Sequence, residues 1–180
     1  ITLDGTILNK RDWRWDVNVN ATFLKNKVVE LPMEPYKSSM YFIMPGHSRY
    51  EFWLRQWAGV NPETGYNLYV ADIDNPDYEW EENELIYKGD VAYTEDVEHA
   101  KYDWSGDAMP VVTGGFGTNL SWKNWDLNVM FYYQLGGKYY DSTYASLMST
   151  GSGSLSFSKL HVDLLNRWKQ PGDKTDVAKL

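Results

Sequence analysis

Hydrophobic and polar residues alternate over residues 110–140, the stretch around which the chain is organised. From Trp125 onward, Trp125, Leu127, Val129, Phe131, Tyr133 and Leu135 form one set, with Asp126, Asn128, Met130, Tyr132 and Gln134 between them. The preceding stretch is looser. Val112, Phe116, Leu120 and Trp122 share a parity with Gly114 and Thr118, against Thr113, Gly115, Gly117, Asn119 and Ser121. Successive side chains on a strand point to opposite faces, so the pattern predicts a hairpin with one apolar and one polar wall. Only Lys123 and Asn124 separate Trp122 from Trp125. Aromatic rings at the turn end of a hairpin are what a membrane barrel sets at its interface.

The start of the chain repeats the design. Residues 1–8 place Ile1, Leu3 and Ile7 on one side and Thr2, Asp4 and Thr6 on the other. A tight polar turn follows, with Lys10 and Arg11 at its tip. Residues 13–25 then alternate without error: Trp13, Trp15, Val17, Val19, Ala21 and Phe23 against Arg14, Asp16, Asn18, Asn20 and Thr22. The long strands reach the ~9–11 residues that a tilted transmembrane strand needs. In a barrel, Trp13, Trp15, Val17, Val19, Leu127, Val129 and Phe131 are expected to face lipid. Arg14, Asp16, Asn18, Asn20, Asp126 and Asn128 are expected to face the lumen.

No comparable alternation occurs between residues 32 and 109, a segment far longer than an ordinary connection. It holds a small predicted hairpin, residues 49–58 and 66–71, around Asn61-Pro62-Glu63-Thr64-Gly65, whose Pro and Gly are turn residues. An acidic tract over 72–84 follows, with seven carboxylates. Residues 149–158 are rich in Ser and Gly, and the stripe Leu160, Leu164, Leu165 and Trp168 predicts a helix over about 158–168, stopped by Pro171 and Gly172.

Short turns alternating with very long connections are the loop pattern of an outer-membrane barrel. Four strands cannot close one, and an open sheet edge is not tolerated in lipid. The expected fold is therefore all-β: an antiparallel transmembrane β-barrel segment with long extracellular loops and a short helix near the C-terminal end. The expected division is a hairpin over 1–31, an extracellular loop region over 32–110, a hairpin over 111–140 and an extracellular loop with a helix over 141–180.

Composition narrows the alternatives. The 180 residues carry a formal net charge of −8, which argues against a nucleic-acid backbone as partner and against simple attraction to anionic headgroups. The chain has no Cys, which removes disulfide and thiol chemistry. No apolar run approaches the ~20 residues of a spanning helix, and Ile1 falls inside a strand pattern rather than a signal peptide. Mean hydropathy is −0.55, which a membrane barrel tolerates because every second strand residue faces water. The 9 Trp and 14 Tyr need a use, and interfacial belts and sugar-stacking platforms are the two obvious ones.

Five motifs then carry a resemblance. They are residues 15–31 (WDVNVNATFLKNKVVEL); Gly59-Val60-Asn61-Pro62-Glu63-Thr64-Gly65 with Tyr69; and Gly106-Asp107-Ala108-Met109-Pro110 with the Gly-rich strand after it. The other two are Leu135-Gly136-Gly137-Lys138-Tyr139-Tyr140-Asp141, and Arg167-Trp168-Lys169-Gln170-Pro171-Gly172-Asp173 with Thr175-Asp176. In this order, over nearly the whole chain, they resemble the late barrel region of the SusC/RagA-type TonB-dependent outer-membrane transporters of Bacteroidota. The resemblance implies a barrel of about 22 strands with a plug, in the outer membrane of a Gram-negative bacterium. It also implies import of glycans or peptides, energy from TonB and a SusD-like surface lipoprotein as lid. Outer-membrane lipid and an oligosaccharide or peptide substrate are the remaining expected partners, with no nucleic acid. The tract IDNPDYEWEENE departs from the Asp-Gly-rich stretch common in the family.

Of the candidate chemistry, Asp72, Asp74 and Asp77 offer closely spaced oxygen ligands for calcium, without the Gly and terminal Glu of an EF-hand loop; a solvated loop is the plainer expectation. His47, His99 and His161 are too scattered to read as a zinc set. No carboxylate pair or activated nucleophile stands out, so no catalytic residue and no cofactor is expected. Tyr36, Tyr41, Trp53, Trp57, Trp80 and Trp104 are the aromatics expected to touch a ligand or lid, with packing of the loop's own small core as the plainer alternative. A soluble carbohydrate-binding β-sandwich using the same aromatics is the competing reading of the whole chain, and a glycosidase has the least support.

Overall fold

The computed structural model describes residues 1–149 and 159–179. The chain forms two compact units, Ile1–Phe52 with Ser105–Tyr139, and Trp53–Trp104 with Tyr140–Leu180.

The first unit opens with β1 (Thr2–Lys10) and β2 (Trp13–Phe23) and continues through β3 (Tyr36–Ser38), β4 (Tyr41–Ile43) and the start of β5 (Glu51–Arg55). The second unit contributes β6 (Trp57–Val60), β7 (Asn67–Val70), β8 (Ile86–Lys88) and β9 (Val91–Thr94). The chain re-enters the first unit along β10 (Tyr102–Asp107) and completes it with β11 (Val112–Trp122) and β12 (Trp125–Leu135). A helix, α1 (Ser142–Met148), and a 3-10 turn, Val162–Asn166, belong to the second unit.

The principal sheet has the order β1-β2-β11-β12, all antiparallel. Its register aligns the two walls across strands far apart in sequence. Phe116 sits between Val19 and Phe131, Leu120 between Trp15 and Leu127, and Trp122 between Trp13 and Trp125. On the other wall Asn119 lies between Asp16 and Asn128, and Gly117 between Asn18 and Met130. A one-residue slip would move every side chain to the wrong wall, so this continuity pins the register. The apolar wall stays open: Trp125, Leu127 and Phe131 are 75%, 56% and 51% exposed.

Two details differ from the sequence expectation. The register of β1 shifts between Thr6 and Leu8, a bulge at Ile7 that puts Leu8 rather than Ile7 on the wall of Trp15. The first turn is Arg11–Asp12, because Lys10 still pairs with Trp13. The two turns are tied together: the Lys123 amide donates to the Asp12 carbonyl at 3.0 Å, and Trp13 stacks on Trp122 at 5.3 Å.

Gly114 shows why this wall needs glycine. A Cβ there would lie 2.1 Å from the Asn20 carbonyl oxygen and 2.6 Å from the Tyr133 hydroxyl. The gap lets Tyr133 reach over β11 and donate to that carbonyl at 2.9 Å.

A second sheet has the order β10-β5-β4-β3, and its first-unit core holds Ile43 and Phe52. The expected strand over 49–58 is in fact β5 and β6, parting at Gln56. The Gln56 amide donates to the Lys101 carbonyl, and its carbonyl accepts from the Val70 amide. The hairpin around residues 61–65 is therefore β6–β7, with Trp57 opposite Tyr69 and Val60 opposite Asn67. The third sheet, β6-β7-β9-β8, buries Leu68, Ala71, Ala92, Thr94 and Ala100.

The helix expected over about 158–168 is absent from its described part; Ser158 and the Ser- and Gly-rich run after Ser149 lie outside the described residues. Only one 3-10 turn forms there, burying Leu164, because Trp168 is drawn away from the stripe. Its indole donates to the Pro62 carbonyl at 2.8 Å and its amide to the Val177 carbonyl at 2.9 Å. The helix that does form is α1, capped by Asp141, whose carboxylate accepts from the Tyr144 amide at 2.8 Å.

Candidate functional site

The polar wall of the principal sheet is hydrogen-bonded along its length. Asp16 accepts from the Thr6 hydroxyl at 2.6 Å and the Arg14 guanidinium at 2.7 Å. The Asn20 side chain accepts from the Gly115 amide at 3.1 Å, and Asn128 donates to Asn119. Uncharged amides dominate, with one ion pair at the short-turn end. This is a wettable surface that can donate and accept, and no activated nucleophile lies on it.

The six candidate aromatics divide between the units. In the first, Tyr36 is exposed on β3, whereas Tyr41 is half-buried and stacks on Phe52 at 5.1 Å. In the second, Trp53 meets Trp104 edge-on at 4.8 Å and lies near-parallel to Tyr102 at 6.4 Å. Trp80 is half-buried against His99 at 5.0 Å. Trp57 is exposed, its indole donating to Asn67 at 3.1 Å. Tyr36 and Trp57 are therefore the exposed members of the six, while Tyr41, Trp53, Trp80 and Trp104 are engaged with neighbouring rings.

The turn at residues 61–65 is built for rigidity. The Gly65 amide donates to the Asn61 carbonyl, the Glu63 amide to the Asn61 side chain, and both Asn61 and Thr64 donate to the Glu95 carboxylate. Above it Lys179 sits 3.5 Å from the Tyr66 ring centroid and 5.8 Å from that of Trp168. Nearby, Tyr144 donates to Asp163 at 3.0 Å beside an open cavity of about 700 Å³ also lined by Met148, Asn166 and Asp176.

The acidic tract does not gather Asp72, Asp74 and Asp77. The Asp72 carbonyl accepts from the Asn75 amide, Asp74 approaches Lys101 at 3.9 Å, and the Asp77 amide donates to Asn75. Among the described residues, the one group whose ligand atoms all lie within 4.8 Å is Glu84, Asp96 and His99. His99 Nδ1 is 2.6 Å from Glu84 Oε1 and 4.0 Å from Asp96 Oδ2. Burial pushes Glu84 up, but hydrogen bonds from His99, the Glu81 amide and Thr94 outweigh it and leave the carboxyl below its ordinary range. The bond to Glu84 holds His99 above the ordinary imidazole value, against the opposing effect of burial. The sequence hid this group because its members come together only when the β8–β9 hairpin folds Glu84 back beside His99. The other two histidines also meet carboxylates, His47 with Glu51 at 3.0 Å and His161 with Asp163 at 3.2 Å.

A two-walled antiparallel sheet with aromatic turn ends and long loop units defines a segment of an all-β barrel. No protein-family model matches the chain. It is 26% identical, over an alignment of 192 positions covering 99% of its length, to TonB-dependent receptor P3 of Formosa agariphila. Its fold is similar to that of the RagAB peptide transporter, with a TM-score of 0.80 at 23% identity over 99% of the chain. The RagAB peptide importer in its closed-closed and open-open states gives TM-scores of 0.74 and 0.68 at 24% identity. The chain spans 18% of the receptor's length and 19% of the transporter chain's. With the five ordered motifs, these likenesses make the chain similar to a segment of the SusC/RagA-type TonB-dependent transporters. The relatives are named as a receptor and as transporters.

Proposed function

We propose that this segment forms part of the wall and extracellular superstructure of an outer-membrane importer that works with a SusD-like lipoprotein and draws energy from TonB through parts outside this chain. The observation that carries the reading is the principal sheet. It holds an open apolar wall of four strands backed by a polar wall, and Trp13, Trp122 and Trp125 gather at its short-turn end. Such a wall suits a lipid-facing barrel surface, and the opposite wall suits a water-filled lumen. A self-contained sandwich would need a second layer over the apolar wall, whose exposure does not favour one.

In this reading the short turns are periplasmic, and residues 32–110 and 141–180 are extracellular. The long segments hold far more residues than strand connection requires, and they display Tyr36 and Trp57 to solvent; aromatics are enriched at interface anchors. They carry the lid contact, the substrate contact or both. The substrate class is an oligosaccharide or a peptide, and the peptide named for the RagAB relatives favours the latter. The substrate passes unchanged.

The test is deletion of about residues 72–100 in the full-length transporter. The barrel is expected to insert in the outer membrane while lid capture or uptake falls. Loss of insertion would place these residues in the wall and overturn the assignment. Independently, the isolated chain is expected not to fold in detergent-free buffer; a soluble monomer that titrates specifically with glycan would establish the sandwich instead.

A further inference from the structure

We propose that Glu84, Asp96 and His99 form a binding site for a divalent cation of the zinc type, bracing the end of the acidic tract against the segment that follows β9. One imidazole nitrogen and two carboxylate oxygens, all within 4.8 Å of one another, match the borderline donor set that zinc takes. Calcium and magnesium prefer six or more oxygen ligands, which this group does not supply.

The surroundings fix each ligand. Glu84 is held from two sides by groups other than its fellow ligands: Thr94, itself fully buried, donates to Oε1 at 3.2 Å, and the Glu81 amide donates to Oε2 at 3.1 Å. Asp96 is oriented by its Oδ1, which accepts from the Glu98 amide at 2.8 Å, leaving Oδ2 directed at His99. The imidazole is walled by Tyr78 at 4.7 Å and Trp80 at 5.0 Å, which limits its rotation. Supporting hydrogen bonds of this kind orient metal ligands and tune their affinity.

The required movement is small. Zinc bonds of about 2.0–2.2 Å at tetrahedral angles set neighbouring ligand atoms about 3.3 Å apart. The Nδ1–Oε1 distance of 2.6 Å must open by about 0.7 Å, and the Nδ1–Oδ2 distance of 4.0 Å must close by about 0.7 Å. A single sideways shift of the imidazole away from Glu84 and toward Asp96 accomplishes both, and the Nδ1 proton that bridges to Glu84 is released to solvent as zinc takes its place. Asp96 is nearly half exposed, so water reaches the fourth position.

The experiment uses the full-length transporter in detergent, stripped with chelator. Zinc binding is followed by calorimetry, and cobalt binding by visible absorption, in the parent and in the His99→Gln and Asp96→Asn variants. The Asp96→Asn variant keeps the Glu84–His99 bond, so its metal-free loop is expected to resist protease like the parent. The parent is expected to bind one equivalent more than His99→Gln, with cobalt bands that His99→Gln lacks. Asp96→Asn is expected to weaken zinc at least about tenfold. Equal binding by all three proteins, no binding by the parent, or an Asp96→Asn variant that binds as tightly as the parent would each overturn the site.

Discussion

Trp168 lies flat against Gly65, so that a Cβ on that glycine would stand 2.4 Å from the indole Cδ2. Gly65 also has φ of +78°, a conformation that side chains rarely adopt. The same ring donates to the Pro62 carbonyl, and the Lys179 amide donates to the Gly65 carbonyl at 2.9 Å. The 61–65 turn and the terminal segment are thus clasped, and the side chain missing from position 65 makes the clasp possible. Gly65→Ala is expected to cost roughly 1–3 kcal/mol of local stability through the combined clash and backbone strain. Faster proteolysis of the loop units at unchanged barrel insertion is the readout; unchanged proteolysis would show that the clasp yields without cost.

The two walls of the principal sheet predict opposite tolerances. Val129→Arg, on the wall of Phe116 and Trp15, is expected to cost about 2–4 kcal/mol of folding stability in lipid, while Asn128→Arg costs less than about 1. Urea titrations of the transporter refolded into vesicles measure both. Equal penalties would mean that the apolar wall does not meet lipid.

Sidedness follows from the proposed orientation. Protease added to intact cells is expected to cut within residues 72–100 and to spare residues 9–12. Cleavage confined to the short turns would invert the segment.

The Glu84–His99 contact carries a pH signature in metal-free buffer. His99 is raised above its ordinary 6.5, so its contribution is complete below about that pH and is lost as pH rises through the raised value. Glu84 is lowered below 4.5, so its contribution is complete above that pH and is lost as pH falls through the lowered value. Protease resistance of residues 72–100 is therefore expected to be highest between about pH 4.5 and 6.5 and to fall on either side. His99→Gln is expected to flatten the alkaline limb; a parent-like alkaline limb in that variant would remove His99 as its source.

Much of this fold was legible because a strand of eleven residues repeats its two-residue period often enough to be unmistakable. Trp13 to Phe23 and Trp125 to Leu135 are such strands. The bulge at Ile7 was not legible, since an extra residue alters pairing without altering local composition. Strands of three or four residues such as β3, β4, β8 and β9 hold one or two periods and cannot be told from loop, whereas β5 to β7 were announced by the turn residues at 61–65 between them. The helix was misplaced because Leu160, Leu164, Leu165 and Trp168 have helical spacing, while a tertiary partner at Pro62 claims the Trp. The α1 helix buries no residue, so only its Asp141 cap could have announced it. The Glu84–His99 pairing needed a folded hairpin to bring together residues fifteen apart.

Phe23 and Val112 face each other across neighbouring strands, and the Leu24 amide donates to the Val111 carbonyl at 3.1 Å. Everything from residue 24 to residue 111 thus leaves the sheet and returns to it through one doorway a single strand-spacing wide. A segment anchored in that way behaves as an interchangeable cassette. Its length and content can change while the rungs on either side keep their partners, and the entropy of closing a longer excursion grows only slowly. The wall needs no redesign when that insert is exchanged, but the clasp of Trp168 and Lys179 on residues 61–65 means that the insert and the terminal segment must be exchanged together.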